Sequence, residues 1–103
     1  MKPLGGAHQS IKFMRESEDA QIPTRTYPGD AGFDLYCSET VTFLHYEFRD
    51  VPMGVRVEMP LGHWALLTGR SSAIRTKGLL VTNGIIDWGW RGPLFAGVQN
   101  LTP

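Results

Sequence analysis

A glycine or a proline interrupts this sequence so often that a long helix has no room to form. Twelve glycines and seven prolines fall within 103 residues. No window sustains apolar residues at i, i+3, i+4 and i+7, the mark of an amphipathic helix. Short β-like runs fill the gaps instead. Ile11–Met14 alternates, Thr40–Leu44 is β-branched and aromatic, and Val55–Met59 places Val55, Val57 and Met59 toward a core with Arg56 and Glu58 toward solvent. His63–Leu67, Gly78–Val81 and Leu94–Gln99 read as further strands, the first two as buried ones. Turn chemistry falls at Tyr27–Asp30, Val51-Pro52-Met53-Gly54 and Pro60-Leu61-Gly62. Ser71–Thr76 is the one stretch suited to a helical turn or two. Many short strands at regular spacing predict an all-β sandwich or barrel. The length predicts a single domain over residues 1–103, with neither repeat nor linker.

Composition narrows the function classes. Hydrophobic residues make up 42% and charged residues 19%, with a formal net charge of zero, so the chain reads as globular rather than as a disordered or strongly charged tail. No apolar run approaches the ~18 residues of a membrane-spanning helix. Met1-Lys2-Pro3-Leu4-Gly5-Gly6 lacks the apolar core of a signal peptide. The lone Cys37 excludes an internal disulfide, and His8, His45 and His63 do not fall at metal-ligand spacings. A cytoplasmic protein that needs neither membrane nor nucleic acid is expected. The neutral total hides an asymmetry. Residues 59–103 carry Arg70, Arg75, Lys77 and Arg91 against the single acid Asp87, a balance suited to an anionic ligand or to a solvated basic surface.

Three segments carry polar or glycine-rich chemistry. In Asp30-Ala31-Gly32-Phe33-Asp34-Leu35-Tyr36, Asp34 sits between apolar neighbours. A carboxylate there wants a metal, a cation or backbone donors, or it caps a turn. In Gly69-Arg70-Ser71-Ser72, Arg70 offers a planar fork for phosphate oxygens and the serines offer hydroxyls. The same residues also suit a plain helix N-cap with a surface arginine. In Gly84-Ile85-Ile86-Asp87-Trp88-Gly89-Trp90-Arg91-Gly92, Asp87 leaves an apolar strand for a glycine-spaced turn. It can serve as a general base or a metal ligand, or the segment can be a hairpin with aromatic packing. Two carboxylates, a phosphate fork and a stacking aromatic together suit a nucleotide carried with magnesium. No Walker loop, dinucleotide fingerprint or zinc-finger spacing is present.

At these three segments, in this order, the sequence resembles the trimeric dUTPases, over about Ile11 to Asn100. The resemblance implies a jelly-roll-like β-sandwich and a homotrimer with active sites at subunit interfaces, the third motif facing the first two across the boundary. It implies that dUTP and water give dUMP and pyrophosphate with Mg2+, in nucleotide-pool sanitation. Carried over, Asp87 orients and deprotonates the attacking water, and Asp34 holds the metal. Arg70, Ser71 and Ser72 hold phosphate oxygens, the backbone at Ile85 and Ile86 meets the uracil edge, and Trp90 stacks on the deoxyribose.

The sequence departs from the family pattern in places. Trp90 replaces the usual tyrosine, and Gly69 and Ser72 flank Arg70-Ser71 where the family usually has proline and glycine. The family's fourth motif and glycine-rich arm are absent after Asn100-Leu101-Thr102-Pro103. The resemblance therefore implies an incomplete C-terminal part: a fragment, a fold completed by another chain, or a reduced relative. A non-catalytic nucleotide- or partner-binding module on the same fold is the alternative. A weaker resemblance to dCTP deaminase lacks the required glutamate ten residues after Asp87, where Gly97 stands.

Overall fold

The computed structural model describes residues 10–103, so His8 and Met1–Gly6 lie outside the described residues. The described chain forms strands β1 (Lys12–Arg15), β2 (Phe48–Glu58), β3 (Ala65–Leu67), β4 (Leu79–Val81), β5 (Gly84–Ile86) and β6 (Pro93–Asn100) and one short helix, α1 (Ser71–Lys77), between β3 and β4 in sequence. A four-stranded sheet runs β1-β2-β6-β4 and a two-stranded sheet pairs β3 with β5. Every strand pairing is antiparallel.

The long strands build the core by alternation. Val51, Met53, Val55 and Val57 of β2 and Leu94, Ala96 and Val98 of β6 face inward, and Val55 is fully buried. Ile11, Phe13, Leu35, Val41 and Phe43 pack around them, and Leu67, Ala65 and Ile86 of the small sheet close the other side. Expected strands at Ile11–Met14, Val55–Met59, Gly78–Val81 and Leu94–Gln99 correspond to β1, the end of β2, β4 and β6 within a residue or two.

Three expectations need correction. The turn expected at Val51–Gly54 lies inside β2. Gly54 does adopt the left-handed region with φ 71°, which is what the turn chemistry signalled. The chain does not reverse there; it bulges. Pro52 pairs with Phe95 and Arg56 with Pro93, so β2 inserts two extra residues against β6. An even insertion preserves parity, and the inward face continues unbroken from Val51 to Val57. A bulge is also where a proline is tolerated within a strand.

Second, Thr40–Leu44 is not a strand. Val41 and Phe43 still point inward while Thr42 and Leu44 point out. The alternation there records one-sided burial, and no strand among the described residues offers it a ladder.

Third, the small sheet is buried on one face only. Trp64 is 62% exposed and Leu66 51%, and Leu66 pairs with Ile85, itself 61% exposed. On β4 the middle residue Leu80 is likewise exposed.

Helix α1 covers the expected Ser71–Thr76. It stops at Gly78, whose N–H reaches back to the carbonyls of Ala73 and Ile74. The buried Asn100 pins the end of β6 to the turn before β2: its Nδ2 donates to Leu44 O at 3.1 Å and its N–H to Glu47 O at 3.0 Å.

Candidate active site in two halves

Asp34 is presented by a stapled loop. Asp30 Oδ2 accepts the Tyr27 N–H at 3.0 Å, and the Asp30 N–H returns to Tyr27 O at 3.0 Å, fixing the expected Tyr27–Asp30 turn. At the loop's base Thr24 and Asp34 form an isolated antiparallel bridge, with the Asp34 N–H donating to Thr24 O at 2.7 Å. Phe33 packs against Phe13 and Leu35 against the core, so alternation sends the Asp34 carboxylate the other way. There it meets Arg70, with Oδ1 and Nη1 3.5 Å apart. The Arg70 side chain is 76% exposed, so the pair contributes little to stability. Its meaning is placement: the first and second motifs meet here.

Arg70 stands at the N-cap of α1, and no side chain caps the helix. Neither serine hydroxyl is therefore committed to the capping role the sequence also allowed. The glycine before it has a packing reason: a Cβ at Gly69 would sit 2.7 Å from the Val81 Cβ. A cleft of about 570 Å3 opens here, lined at its mouth by Asp34, Arg70, Ser72 and Lys77 and deeper by Leu35, Val81 and their neighbours. Ser71, exposed at the first helical position, lies beside it.

The third motif lies at the other end of the small sheet. Leu67 pairs with Gly84 and Ala65 with Ile86, so Arg70 leaves one end of the β3-β5 ladder and Asp87 leaves the other. Asp87 is exposed and opens a turn closed by the Trp90 N–H donating to Asp87 O at 3.0 Å. Arg91 braces that turn, Nη1 donating to Trp88 O at 2.6 Å. The Trp90 ring lies over Gly92 and its Nε1 donates to Pro93 O at 3.3 Å. Ile85, Ile86 and Trp90 line a groove of about 290 Å3 together with Phe95 and Pro93. The structure thus joins Asp34 with Arg70 and Ser72, joins Ile85 and Ile86 with Trp90, and sends Arg70 and Asp87 from opposite ends of the β3-β5 ladder.

Sequence reasoning missed the fastenings. Thr24 Oγ1 and Tyr36 Oη share a hydrogen bond of 2.6 Å, and Thr68 Oγ1 donates to Asn83 Oδ1 at 2.6 Å across the β3-β5 end. The Arg25 guanidinium lies 5.0 Å from the centre of the Phe33 ring. No local signal marks such pairs, because each joins residues about eight to fifteen apart through a loop whose path the sequence does not state. Among the described residues no three His, Cys, Asp or Glu side chains cluster as a metal cage.

The family model for dUTPase matches residues 18–103. The chain belongs to the dUTPase family. Similar curated proteins include deoxyuridine 5'-triphosphate nucleotidohydrolases from Rhodococcus erythropolis, 36% identical and covering 93% of this chain, and from Leifsonia xyli, 38% identical and covering 78%. A dUTPase from phage phi11 of S. aureus has a solved structure that superposes with a TM-score of 0.86 at 32% identity over 91% of the chain. The dUTPase of Staphylococcus bacteriophage 80alpha superposes equally well, at 31% identity over 90%. These neighbours have the β-sandwich of jelly-roll type expected from the sequence. The chain spans 60% of the Rhodococcus relative and 61% of the phi11 chain. At the position where the deaminase resemblance requires glutamate, a Cβ on Gly97 would fall 2.6 Å from Thr82 Oγ1 and 2.9 Å from Phe48 Cζ, so a side chain there would have to displace both exposed neighbours.

Proposed function

We propose that this chain supplies both halves of a magnesium-dependent dUTP pyrophosphohydrolase site, completed when subunits of a homotrimer bring the halves together. The carrying observation is their separation: Asp34 and Arg70 meet at one end of the β3-β5 ladder, and Asp87 leaves the other. In the proposed trimer a site that needs both draws them from two copies of the chain. The bare face of Trp64, Leu66 and Ile85 suits such an assembly. A variant of the phage 80alpha enzyme is described with dUpNHpp, and one of the phi11 enzyme with a structural Mg(II) ion.

The residues fit a nucleotide-borne magnesium better than a protein cage. Magnesium keeps several waters and takes one or two carboxylates plus phosphate oxygens. Asp34 is one partly exposed carboxylate at a cleft mouth, beside a guanidinium able to share the same phosphates. Bound there, the ion supplies charge neutralisation on the phosphate chain.

Arg70, Ser71 and Ser72 hold phosphate oxygens. The backbone of Ile85 and Ile86 reads the uracil edge, and the Trp90 ring covers the deoxyribose. The Asp87 carboxylate accepts a proton from a water as that water's oxygen bonds to the α-phosphorus. The bond to the bridging oxygen breaks, and pyrophosphate leaves with its electron pair. Positioning and charge stabilisation carry most of such chemistry. The reading places the protein in the cytoplasm, where it would remove dUTP from the nucleotide pool.

The test is pyrophosphate release from dUTP with Mg2+, alongside dCTP, dTTP and UTP. Release from dUTP alone supports the reading. Binding of dUTP without release refutes catalysis by this chain and leaves the nucleotide-binding module.

A further inference from the structure

We infer that Arg25 is a positioning residue for Asp34, an inference that rests on the proposed magnesium-holding role of that carboxylate. Asp34 is not held by regular sheet. Its backbone is secured by the isolated bridge to Thr24, at the neck of the loop of residues 25–33. Arg25 follows Thr24 directly and ties that loop at two points. Its guanidinium stacks on Phe33, the residue before Asp34, at 5.0 Å from the ring centre. Its Nη1 also donates to Asp30 O at 3.4 Å, on the opposite limb of the loop. Phe33 in turn meets Phe13 edge to face, with ring centres 5.4 Å apart, which anchors the stack to β1. On the other side of Asp34, Tyr36 bonds Thr24.

The consequence is directional. With Phe33 clamped between Arg25 and Phe13, the alternation of the chain leaves the Asp34 carboxylate one direction, toward Arg70. Release of the clamp frees Phe33 to turn and the carboxylate with it. Arg25 does not line the cleft at Asp34 and Arg70; it acts through Phe33 and Asp34.

The experiment uses the whole chain and two readouts. The first is hydrogen exchange at the Asp34 amide, compared with Val51 and Val98 in β2 and β6. Arg25→Ala should speed exchange at Asp34 and leave the sheet amides protected. The second is calorimetric affinity for dUpNHpp with and without magnesium. Arg25→Ala should lower the magnesium-dependent affinity roughly 10–100-fold, as loss of an outer-shell partner typically does, with the magnesium-free affinity unchanged. Arg25→Lys, which keeps a cation over the ring, should recover most of the loss, and Arg25→Met should not. In an Asp34→Asn background Arg25→Ala should cost nothing further. Additive losses, equal losses with and without magnesium, or an unchanged Asp34 amide would each overturn the inference. If sheet amides loosen as well, Arg25→Lys carries the same comparison in a folded protein. A wild-type chain that neither binds dUpNHpp nor releases pyrophosphate sinks the dUTP reading, and exchange at the Asp34 amide still decides whether Arg25 fixes that residue.

Discussion

Asp87 occupies an exposed turn and touches nothing in the core, so its side chain is free for chemistry and cheap to alter. Replacing it with asparagine should lower dUTP turnover by about 10²–10⁴-fold, the usual contribution of a positioned base. Affinity for dUpNHpp should hold within a few-fold, and thermal stability should not move; steady-state kinetics, calorimetry and melting curves check all three. Gly69 is the opposite case. Its missing side chain is filled by Val81, so Gly69→Ala should destabilise by about 1–3 kcal/mol through overpacking, read from denaturant midpoints. In the sequence both residues looked functional for the same reason, their place in a polar, glycine-rich motif. Asp87 stands exposed on its turn, with its carboxylate open for the proposed proton-accepting role. Gly69 has a packing reason that its motif does not reveal, because the neighbour that decides it, Val81, comes from β4.

Strand β2 makes the same point for an element. Its apolar residues fall on odd positions from Val51 to Val57, and that alternation was legible from Val55 onward. Pro52 and Gly54 hid the rest, since proline and glycine signal a turn wherever local chemistry alone is consulted. Gly54 is also crowded: a Cβ there would lie 2.6 Å from Ser38 Cβ and 2.7 Å from Ala20 Cβ, on a backbone with φ 71°. Gly54→Ala should therefore cost about 2–4 kcal/mol, combining left-handed strain with overpacking. Val55→Ala, in the same strand and fully buried, should cost about 2 kcal/mol by lost burial and the cavity left behind. Urea titration gives both losses and amide hydrogen exchange separates the two, because only the Gly54 variant should disturb the amides of Glu16 and Ser38, which bond Gly54 O and Pro52 O. Thr40–Leu44 teaches the converse. Its side chains alternate as a strand's would, yet a strand is defined by its neighbour's backbone, and none of the described residues pairs with it.

At the scale of the molecule, the proposed trimer rests on the bare apolar face and on the exit of Arg70 and Asp87 from opposite ends of the β3-β5 ladder. Light scattering of the chain should give a trimer at micromolar concentration. A sharper check mixes two inactive proteins, Arg70→Ala and Asp87→Asn, after unfolding and reassembly. If each site takes one half from each of two subunits, random trimers should regain about a quarter of wild-type turnover, because a quarter of the boundaries pair two intact halves. Sites complete within one chain would regain none. The sequence by itself determined the β class, the position of α1, and the residue types of all three motifs. These depend on local chemistry: alternation, chain-breaking residues, a fork for phosphate, a carboxylate on a turn. Only the tertiary structure decided which motifs meet. Asp34 finds Arg70 because a loop bridge at Thr24 aims it there, and Asp87 stays away because β3 and β5 run antiparallel and leave it at the far end of their ladder. Strand order and register are set by the packing of distant residues against a shared core, and a run of neighbours along the chain does not contain that information.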